Sequence, residues 1–170
     1  ETKVIEPFNG KDLTGWKPKD EKKSKWEAYT NSQPFLGKNP AEFEPGAKES
    51  TDGTKLPSTL VNTTGGGTDI STEAKFGDIL LELEFMVPKG SNSGIYLMGE
   101  YEVQILDSYG KPDEKLTQGD LGALYSAAAP KVNAAKKPGE WQKFVIDFQA
   151  PKFEDGKKEV ESLLKTAAAA

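Results

Sequence analysis

The stretch Asn92–Tyr109 reads Asn-Ser-Gly-Ile-Tyr-Leu-Met-Gly-Glu-Tyr-Glu-Val-Gln-Ile-Leu-Asp-Ser-Tyr. Two short runs typical of β-strands flank Gly99, and successive side chains of an extended strand point to opposite faces. In the second run one face carries Tyr101, Val103 and Ile105, and the other carries Glu102, Gln104 and Leu106. The first set predicts a core-facing surface, and the second, with its carboxylate and amide, predicts the floor of a ligand site.

The segment Ile79–Val87 repeats this alternation, with apolar residues on one face and glutamates on the other. If the two segments share a sheet, Glu82 or Glu84 would face Glu102 or Gln104, because opposed residues on paired strands lie about 5 Å apart at Cβ. The alternative is that these polar residues only mark the solvated face of a half-buried strand.

The composition removes several chemistries. The 170 residues fit one domain, and 22 lysines against 27 acidic residues give a net charge of −5, which disfavours nucleic acid as a partner. Histidine, cysteine and arginine are all absent. A conventional zinc site, a Ser-His-Asp triad, a cysteine nucleophile and bidentate arginine clamps are therefore excluded. Carboxylate, amide, hydroxyl and lysine chemistry remain.

Turn-rich segments separate the predicted strands, and the chain holds 17 glycines and 11 prolines. This pattern predicts an all-β fold, an antiparallel jelly-roll β-sandwich of one domain with long loops. The segment 31–55 has few apolar residues and predicts a long surface connection. The predicted strands are Lys25–Tyr29, Leu60–Asn62, Ile79–Val87, Gly94–Met98, Tyr101–Leu106, Leu121–Tyr125 and Trp141–Phe148.

Both ends of the chain invite an interpretation. Residues 158–170 have helical spacing followed by four alanines, so this tail is either a short helix or a run of placeholder alanines. No basic and apolar leader precedes the first strands, which predicts either an exported chain whose signal segment was removed or a cytosolic one. No apolar run approaches the length of a membrane span.

Six separated motifs follow one another along the chain. They are Phe8–Trp16, Asn92–Gly99 with Tyr101–Ser108, Gly122–Tyr125, Ala129-Pro130 with Asn133-Ala134, Lys137–Trp141 and Ala150–Phe153. In these motifs and their order, over roughly residues 5–157, the chain resembles the 3-keto-disaccharide hydrolase domain family, whose members are similar to concanavalin-like glucanase and lectin sandwiches. The resemblance implies an exported protein, extracellular or periplasmic, of a sugar-degrading bacterium.

The resemblance implies cleavage of glycosides whose sugar is oxidised at C3, where a keto group acidifies the proton on C2. One base, one acid and support for a developing oxyanion would then suffice. We expect Glu84 and Glu102 to be the catalytic pair and a saccharide to be the ligand. The predicted substrate-binding residues are Asp69, Asn92, Tyr96, Gln104, Asp107 and Tyr125.

Metal binding and non-catalytic functions are alternative interpretations of the sequence. Asp69, Asp107 and Asp120 could offer oxygens to Ca²⁺, yet their spacing matches no EF-hand loop, so we assign no metal site or cofactor. Family members often carry histidine or arginine near the ligand face, whereas this chain has neither and has Lys152 in its Ala-Pro-Lys-Phe motif. The alternatives to an enzyme are therefore a non-catalytic carbohydrate-binding module and a subunit of an extracellular assembly. In the second, a homo-oligomer or another chain would pair with a sheet edge.

Overall fold

The structure, a computed structural model, describes residues 3–30, 32–36, 43–49, 58–64, 66–154, 157–159 and 164–169. Strands make up most of the regular structure in these ranges, and the helical content there is a 3-10 turn at Asp113–Lys115. The strands are β1 (Trp16–Pro18), β2 (Trp26–Tyr29), β3 (Ser32–Leu36), β4 (Phe43–Glu49), β5 (Thr59–Asn62), β6 (Ile70–Thr72), β7 (Ile79–Phe85), β8 (Asn92–Leu97), β9 (Tyr101–Leu106), β10 (Gln142–Phe148), β11 (Lys152–Glu154), β12 (Lys157–Glu159) and β13 (Leu164–Ala169).

The chain divides into two compact units, Glu1–Lys75 and Phe76–Ala170. The first unit pairs β1 with β6, β2 with β5 and β3 with β4, all antiparallel. Its first motif is a turn: Asn9 Oδ1 accepts the N–H groups of Lys11 and Asp12, and Asp12 Oδ1 accepts the N–H of Thr14. Hydrogen bonds from Asn9 and Thr14 lower the pKa of Asp12 to about 2. The motif therefore has a local structural role, bending the chain ahead of β1.

The second unit is built from two layers. One layer is the antiparallel sheet β13-β10-β7, and the other contains the β8-β9 hairpin. Apolar residues at alternate positions of β7, β9 and β10 meet between them, with Tyr101 and Phe148 rings 5.8 Å apart. Phe144 and Ile146 are almost fully buried in this core. The face assignments predicted for β7 and β9 are confirmed, because alternation fixes which side of each strand is apolar.

The predicted strand Leu121–Tyr125 is wrong as a regular strand, although its backbone follows β9. Gln104 N donates to Ala123 O at 3.0 Å, Gly122 N donates to Gln104 O at 2.9 Å, and Tyr125 N donates to Glu102 O at 2.9 Å. Only isolated bridges form at Leu124. A run of hydrogen bonds without a continuous ladder thus places this segment beside the hairpin.

Two further expectations are corrected. The segment 31–55 contains the antiparallel pair β3-β4, so it is more than a surface connection. Residues 164–169 form β13 along β10 instead of a helix. The backbone pairing of β3 with β4 and of β13 with β10 overrides local composition in these two segments. The domain boundary expected at residue 157 stays a prediction.

The predicted fold class, an all-β sandwich of antiparallel strands, is confirmed. Every strand pair in the described ranges is antiparallel. Among the same residues no helix has the length and apolar character needed to cross a membrane.

Candidate functional site

The β8-β9 hairpin presents a polar face away from the core of the second unit. In the antiparallel register Tyr96 lies opposite Glu102, and Gly94 lies opposite Gln104. Since alternate residues share a face, Asn92 joins this row at the far end of β8. We call Asn92, Tyr96, Glu102 and Gln104 the hairpin group.

Glu102 is the charged member of the hairpin group. Its Oε2 accepts a hydrogen bond of 2.8 Å from the Tyr96 hydroxyl, whose residue is 56% exposed. The side chain of Glu102 is half-buried and extends across β8 over Gly94. A Cβ at position 94 would overlap Glu102 Oε1 and would lie 2.8 Å from Cγ and Cδ of Glu102. A tyrosine donor and a bare strand backbone therefore hold the carboxylate at the surface of the hairpin.

Gln104 is the buried member, with 2% of its surface exposed. Its Nε2 donates to Asn92 Oδ1 and to the Gly119 carbonyl, each at 3.2 Å. Because the Gly119 carbonyl can only accept, this contact fixes which end of the amide is nitrogen. The Oε1 is buried and has no hydrogen-bond partner among the described residues. An unfilled acceptor of this kind can receive a hydroxyl from water or from a ligand.

A second polar cluster fixes the loop that supplies the Gly119 carbonyl. We call Ser108, Lys111, Thr117 and Asp120 the Asp120 group. The Asp120 carboxylate is 2% exposed and accepts Lys111 Nζ at 2.7 Å, Thr117 N at 2.7 Å, Thr117 Oγ1 at 2.8 Å and Ser108 Oγ at 3.2 Å. Burial would raise its pKa, but the hydrogen bonds from Lys111, Thr117 and Ser108 outweigh burial and lower it to about 2.

Asn133 extends this support to the neighbouring loop. Its Nδ2 donates to the carbonyls of Ser108 and Lys111 at 2.7 and 2.8 Å, and its Oδ1 accepts the N–H of Ala135 at 3.0 Å. All the polar atoms of the Asn133 amide are thereby used within the protein. This residue of the Asn133-Ala134 motif anchors loops around the site.

The turn at the tip of the hairpin is also specific. Met98 and Gly99 both have positive φ, 55° and 71°, and Glu100 N donates to Leu97 O at 3.1 Å. Two successive positive φ values suit the right-handed twist of the flanking strands, and glycine adopts them without strain. Met98 adopts this conformation at a steric cost.

The structure brings five predicted site residues together. Asn92, Tyr96, Glu102 and Gln104 share the hairpin face, and Tyr125 is joined to Glu102 through its backbone N–H. Tyr125 is about half exposed, so its ring is accessible to a ligand. The predicted roles of these residues remain predictions, which we take up below.

Glu84 does not join them. Strand β7 pairs with β10, so Glu84 lies opposite Lys143, and Glu82 forms an ion pair of 2.6 Å with the same lysine. The hydrogen bond to Glu82 raises the pKa of Lys143. The expected facing of Glu84 and Glu102 required one shared sheet, and that premise is wrong because β7 and β9 belong to different layers. Each glutamate points away from the common core, on its own layer.

The predicted aspartates have other contacts. Asp69 belongs to the first unit, is exposed and pairs with Lys19 at 3.7 Å. Asp107 uses Oδ2 to accept Gly90 N at 2.8 Å and Oδ1 to accept Tyr109 N at 3.3 Å, which ties together two turns. Over the ranges that the structure describes, no three acidic side chains gather as metal ligands. Asp107 and Asp120 thus hold loops in place.

Sequence reasoning missed two contributors to the hairpin face, Gly94 and the carbonyl of Gly119. A glycine in the middle of a strand was the available signal for Gly94, since it marks a close approach by another group. No sequence signal indicates which carbonyl a loop will present to a neighbouring side chain. Gly119 became visible only through its contact with Gln104.

Comparison with known proteins supplies the family. The family model of the 3-keto-alpha-glucoside-1,2-lyase-like domain matches residues 3–161. A curated relative from Bacteroides thetaiotaomicron, named 3-keto-disaccharide hydrolase, is 29% identical over 164 residues, covering 82% of this chain and 50% of the relative. The crystal structure of a "putative glycosyl hydrolase" from Parabacteroides distasonis superposes with a TM-score of 0.61 at 28% identity, covering 96% of this chain and 61% of that one.

This chain therefore spans about half of the curated relative and less than two thirds of the solved chain. The family match extends over most of the sequence and includes the hairpin. The chain belongs to the 3-keto-alpha-glucoside-1,2-lyase-like domain family.

Proposed function

We propose that this domain cleaves glycosides whose sugar carries a keto group at C3, with Glu102 as the general base. The observation that carries the proposal is the carboxylate of the half-buried Glu102, which accepts a hydrogen bond at Oε2 from the hydroxyl of the exposed Tyr96. The family description and the name of the Bacteroides relative support the substrate class.

The chemistry of such a substrate requires few protein groups. The C3 carbonyl acidifies the C2–H bond, so Glu102 takes the proton and the bonding electrons form an enolate. These electrons then make the C1=C2 double bond while the C1–O bond breaks and its electron pair leaves with the glycosidic oxygen. The protonated Glu102 gives its proton to that oxygen. Water later adds at C1, its proton passing to C2, which completes a net hydrolysis.

A single carboxylate suits this route better than ordinary glycoside hydrolysis. A retaining or inverting glycosidase needs two carboxyl groups about 5–5.5 Å or about 6.5–9.5 Å apart. Glu84, the residue expected to be the partner of Glu102, lies on the other layer beside Lys143. We therefore assign no catalytic role to Glu84, and Glu102 serves in turn as base and acid.

The remaining members of the hairpin group would hold the sugar. The exposed Asn92 amide can donate to the enolate oxygen, and the buried Gln104 would orient it by donating Nε2 to Asn92 Oδ1. Tyr125, which is about half exposed beside Glu102, can stack on a sugar ring. Asp69 and Asp107, also expected to bind substrate, have contacts that give this proposal no support.

Binding without turnover is the second candidate function. The observation that favours it is a pair of half-exposed tyrosines, Tyr96, whose hydroxyl donates to the Glu102 carboxylate, and Tyr125, whose backbone N–H donates to the Glu102 carbonyl. Aromatic side chains at a surface can retain a sugar without any catalytic group. In this candidate Glu102 acts only as a hydrogen-bond acceptor.

We also propose a source, a location and an assembly state for the protein. A bacterial source is supported by the bacterial organisms of both relatives. Export from the cytoplasm is proposed on the family resemblance alone. Fractionation of the source cell would test export. A second chain adding to a sheet edge would be tested by light scattering of the purified protein.

The test of the main proposal is incubation of the purified chain with 3-keto-glucosides and with their unoxidised parents, following the released aglycone by mass spectrometry. We expect release from the keto substrates alone. Glu102→Gln should lower that release by about 10²–10⁴-fold, the usual contribution of a general base. The control is Glu140→Gln, at an exposed turn outside the hairpin. Retained sugar binding without release from either substrate would favour the binding candidate.

A further inference from the structure

We propose that Gly94 is a positioning residue for Glu102, because only a residue without a side chain leaves room for the carboxylate to lie across β8. Contacts within the hairpin show that Glu102 occupies the space that a side chain at position 94 would need. Its consequence for turnover rests on the proposed function.

The backbone at Gly94 does not itself require glycine. Its φ lies outside the left-handed region, unlike that of Gly99, and it sits in the middle of β8 paired with Gln104. Glycine in a strand interior loses conformational entropy and offers no side chain for packing, so it weakens the strand. A positive φ, the usual reason for a glycine in a turn, therefore does not explain Gly94.

The space next to Gly94 is taken up by the side chain of Glu102. The three atoms nearest to a Cβ built at this position are Oε1, Cδ and Cγ of Glu102, with Cγ and Cδ both at 2.8 Å. Real Cβ atoms essentially never approach that closely, so the Glu102 side chain would have to move, a shift that costs little energy at the end of a flexible side chain but changes where the carboxylate lies. Its hydrogen bond from Tyr96 would then be lost or rebuilt in another place.

A Cβ at position 94 therefore has two connected effects. It displaces the carboxylate from the place where Tyr96 holds it, and an angstrom of displacement of a catalytic group is costly to rate. It also adds β-propensity to the strand, since alanine is better tolerated than glycine in strand interiors. The first effect depends on Glu102 being present, and the second does not.

A double-mutant cycle separates these effects. We would compare the wild-type chain, Gly94→Ala, Glu102→Ala and the double variant by urea unfolding. The folded-to-unfolded ratio should change less favourably on Gly94→Ala in the wild-type background than when Glu102 is alanine, by about twofold or more. The matched control is Gly77→Ala, whose Cβ meets nothing within 4 Å and whose effect should be the same in both backgrounds. An equal effect of Gly94→Ala in the two backgrounds would overturn the positioning role.

Kinetics test the consequence for turnover. With a 3-keto-glucoside, Gly94→Ala should reduce kcat at least tenfold while KM changes less, because the base moves and the rest of the face stays. A kcat equal to that of the wild type would contradict the catalytic half of the inference. If the wild type has no activity at all, the proposed function fails, and the unfolding cycle still decides whether Gly94 makes room for Glu102.

Discussion

Two polar clusters lie on neighbouring parts of the second unit, and they differ in how fully their hydrogen bonds are used. In the Asp120 group both carboxylate oxygens accept bonds from the protein, and the aspartate is buried. In the hairpin group the carboxylate of Glu102 is half-buried, Tyr96 is exposed and Gln104 keeps an unfilled acceptor. A filled network stabilises loops, whereas a half-buried carboxylate such as that of Glu102 still has hydrogen-bonding capacity that a ligand can use.

The largest expected effect is on stability, from breaking the Asp120 group. Asp120→Ala leaves Lys111 without its ion-pair partner and leaves the Thr117 N–H without its acceptor. Because the aspartate is buried, we expect a loss of about 3 kcal/mol in the free energy of unfolding, measured in urea. Asp147→Ala, on the exposed face of β10, should change it by less than about 0.5 kcal/mol. Equal effects of the two variants would contradict the structural role.

Acid should weaken the same group. The pKa of Asp120 falls from 3.8 to about 2 on folding, because hydrogen bonds from Lys111, Thr117 and Ser108 outweigh burial. A lowered folded-state pKa means that the stabilisation is complete above about pH 4 and is lost as the pH falls towards 2. It amounts to about 2 kcal/mol. The free energy of unfolding of the wild type should therefore exceed that of Asp120→Asn by less at pH 2.5 than at pH 5. An equal difference at the two pH values would refute the linkage.

The hairpin group should respond in rate more than in stability. Tyr96→Phe removes the hydroxyl that donates to Glu102 Oε2 and retains the ring. A hydrogen bond to a charged group is typically worth about 1.5 kcal/mol, so kcat/KM on a 3-keto-glucoside should fall about tenfold. Tyr109→Phe, at another half-exposed tyrosine, is the matched control. A lower free energy of unfolding for Tyr96→Phe with an unchanged kcat/KM would show that this tyrosine has a structural role only.

The smallest effect concerns the turn that joins the two strands of the site. Met98 has a φ of 55°, a conformation that costs an ordinary residue roughly 1 kcal/mol and costs glycine little. Met98→Gly should leave the thermal midpoint unchanged or raise it by a few degrees. A marked decrease would mean that the Met98 side chain, about half exposed, has a packing role at the tip of the hairpin.

The sequence predicted which face of a strand is buried better than it predicted which strands pair with each other. Alternation along β7 and β9 identified the buried side chains, because strand periodicity is local. Which strand pairs with which depends on the whole fold, so Glu84 was expected beside Glu102 and instead lies opposite Lys143. The grouping of Asn92 with Gln104 was within reach because a short turn joins their strands.

Other misses have the same origin. The composition of β3 and of β13 does not reveal that these segments pair with β4 and β10. The segment 121–125 follows β9 without forming a regular strand. The role of Asp120 as the centre of a buried network required knowing that Lys111 and Thr117 converge on it. Aspartates near turns have many local uses, and the sequence pattern did not distinguish among them.

The most direct test of the central claim is a titration of the Glu102→Gln variant with a 3-keto-glucoside, followed by ¹H–¹⁵N NMR. The side-chain amides of Asn92 and Gln104 and the backbone amides of Gly94 and Gly119 report on the hairpin face itself. We expect their resonances to shift together and to saturate with one ligand affinity. Shifts that leave these amides unchanged and concentrate around Lys143, on the outer face of the other layer, would contradict the assignment of the site.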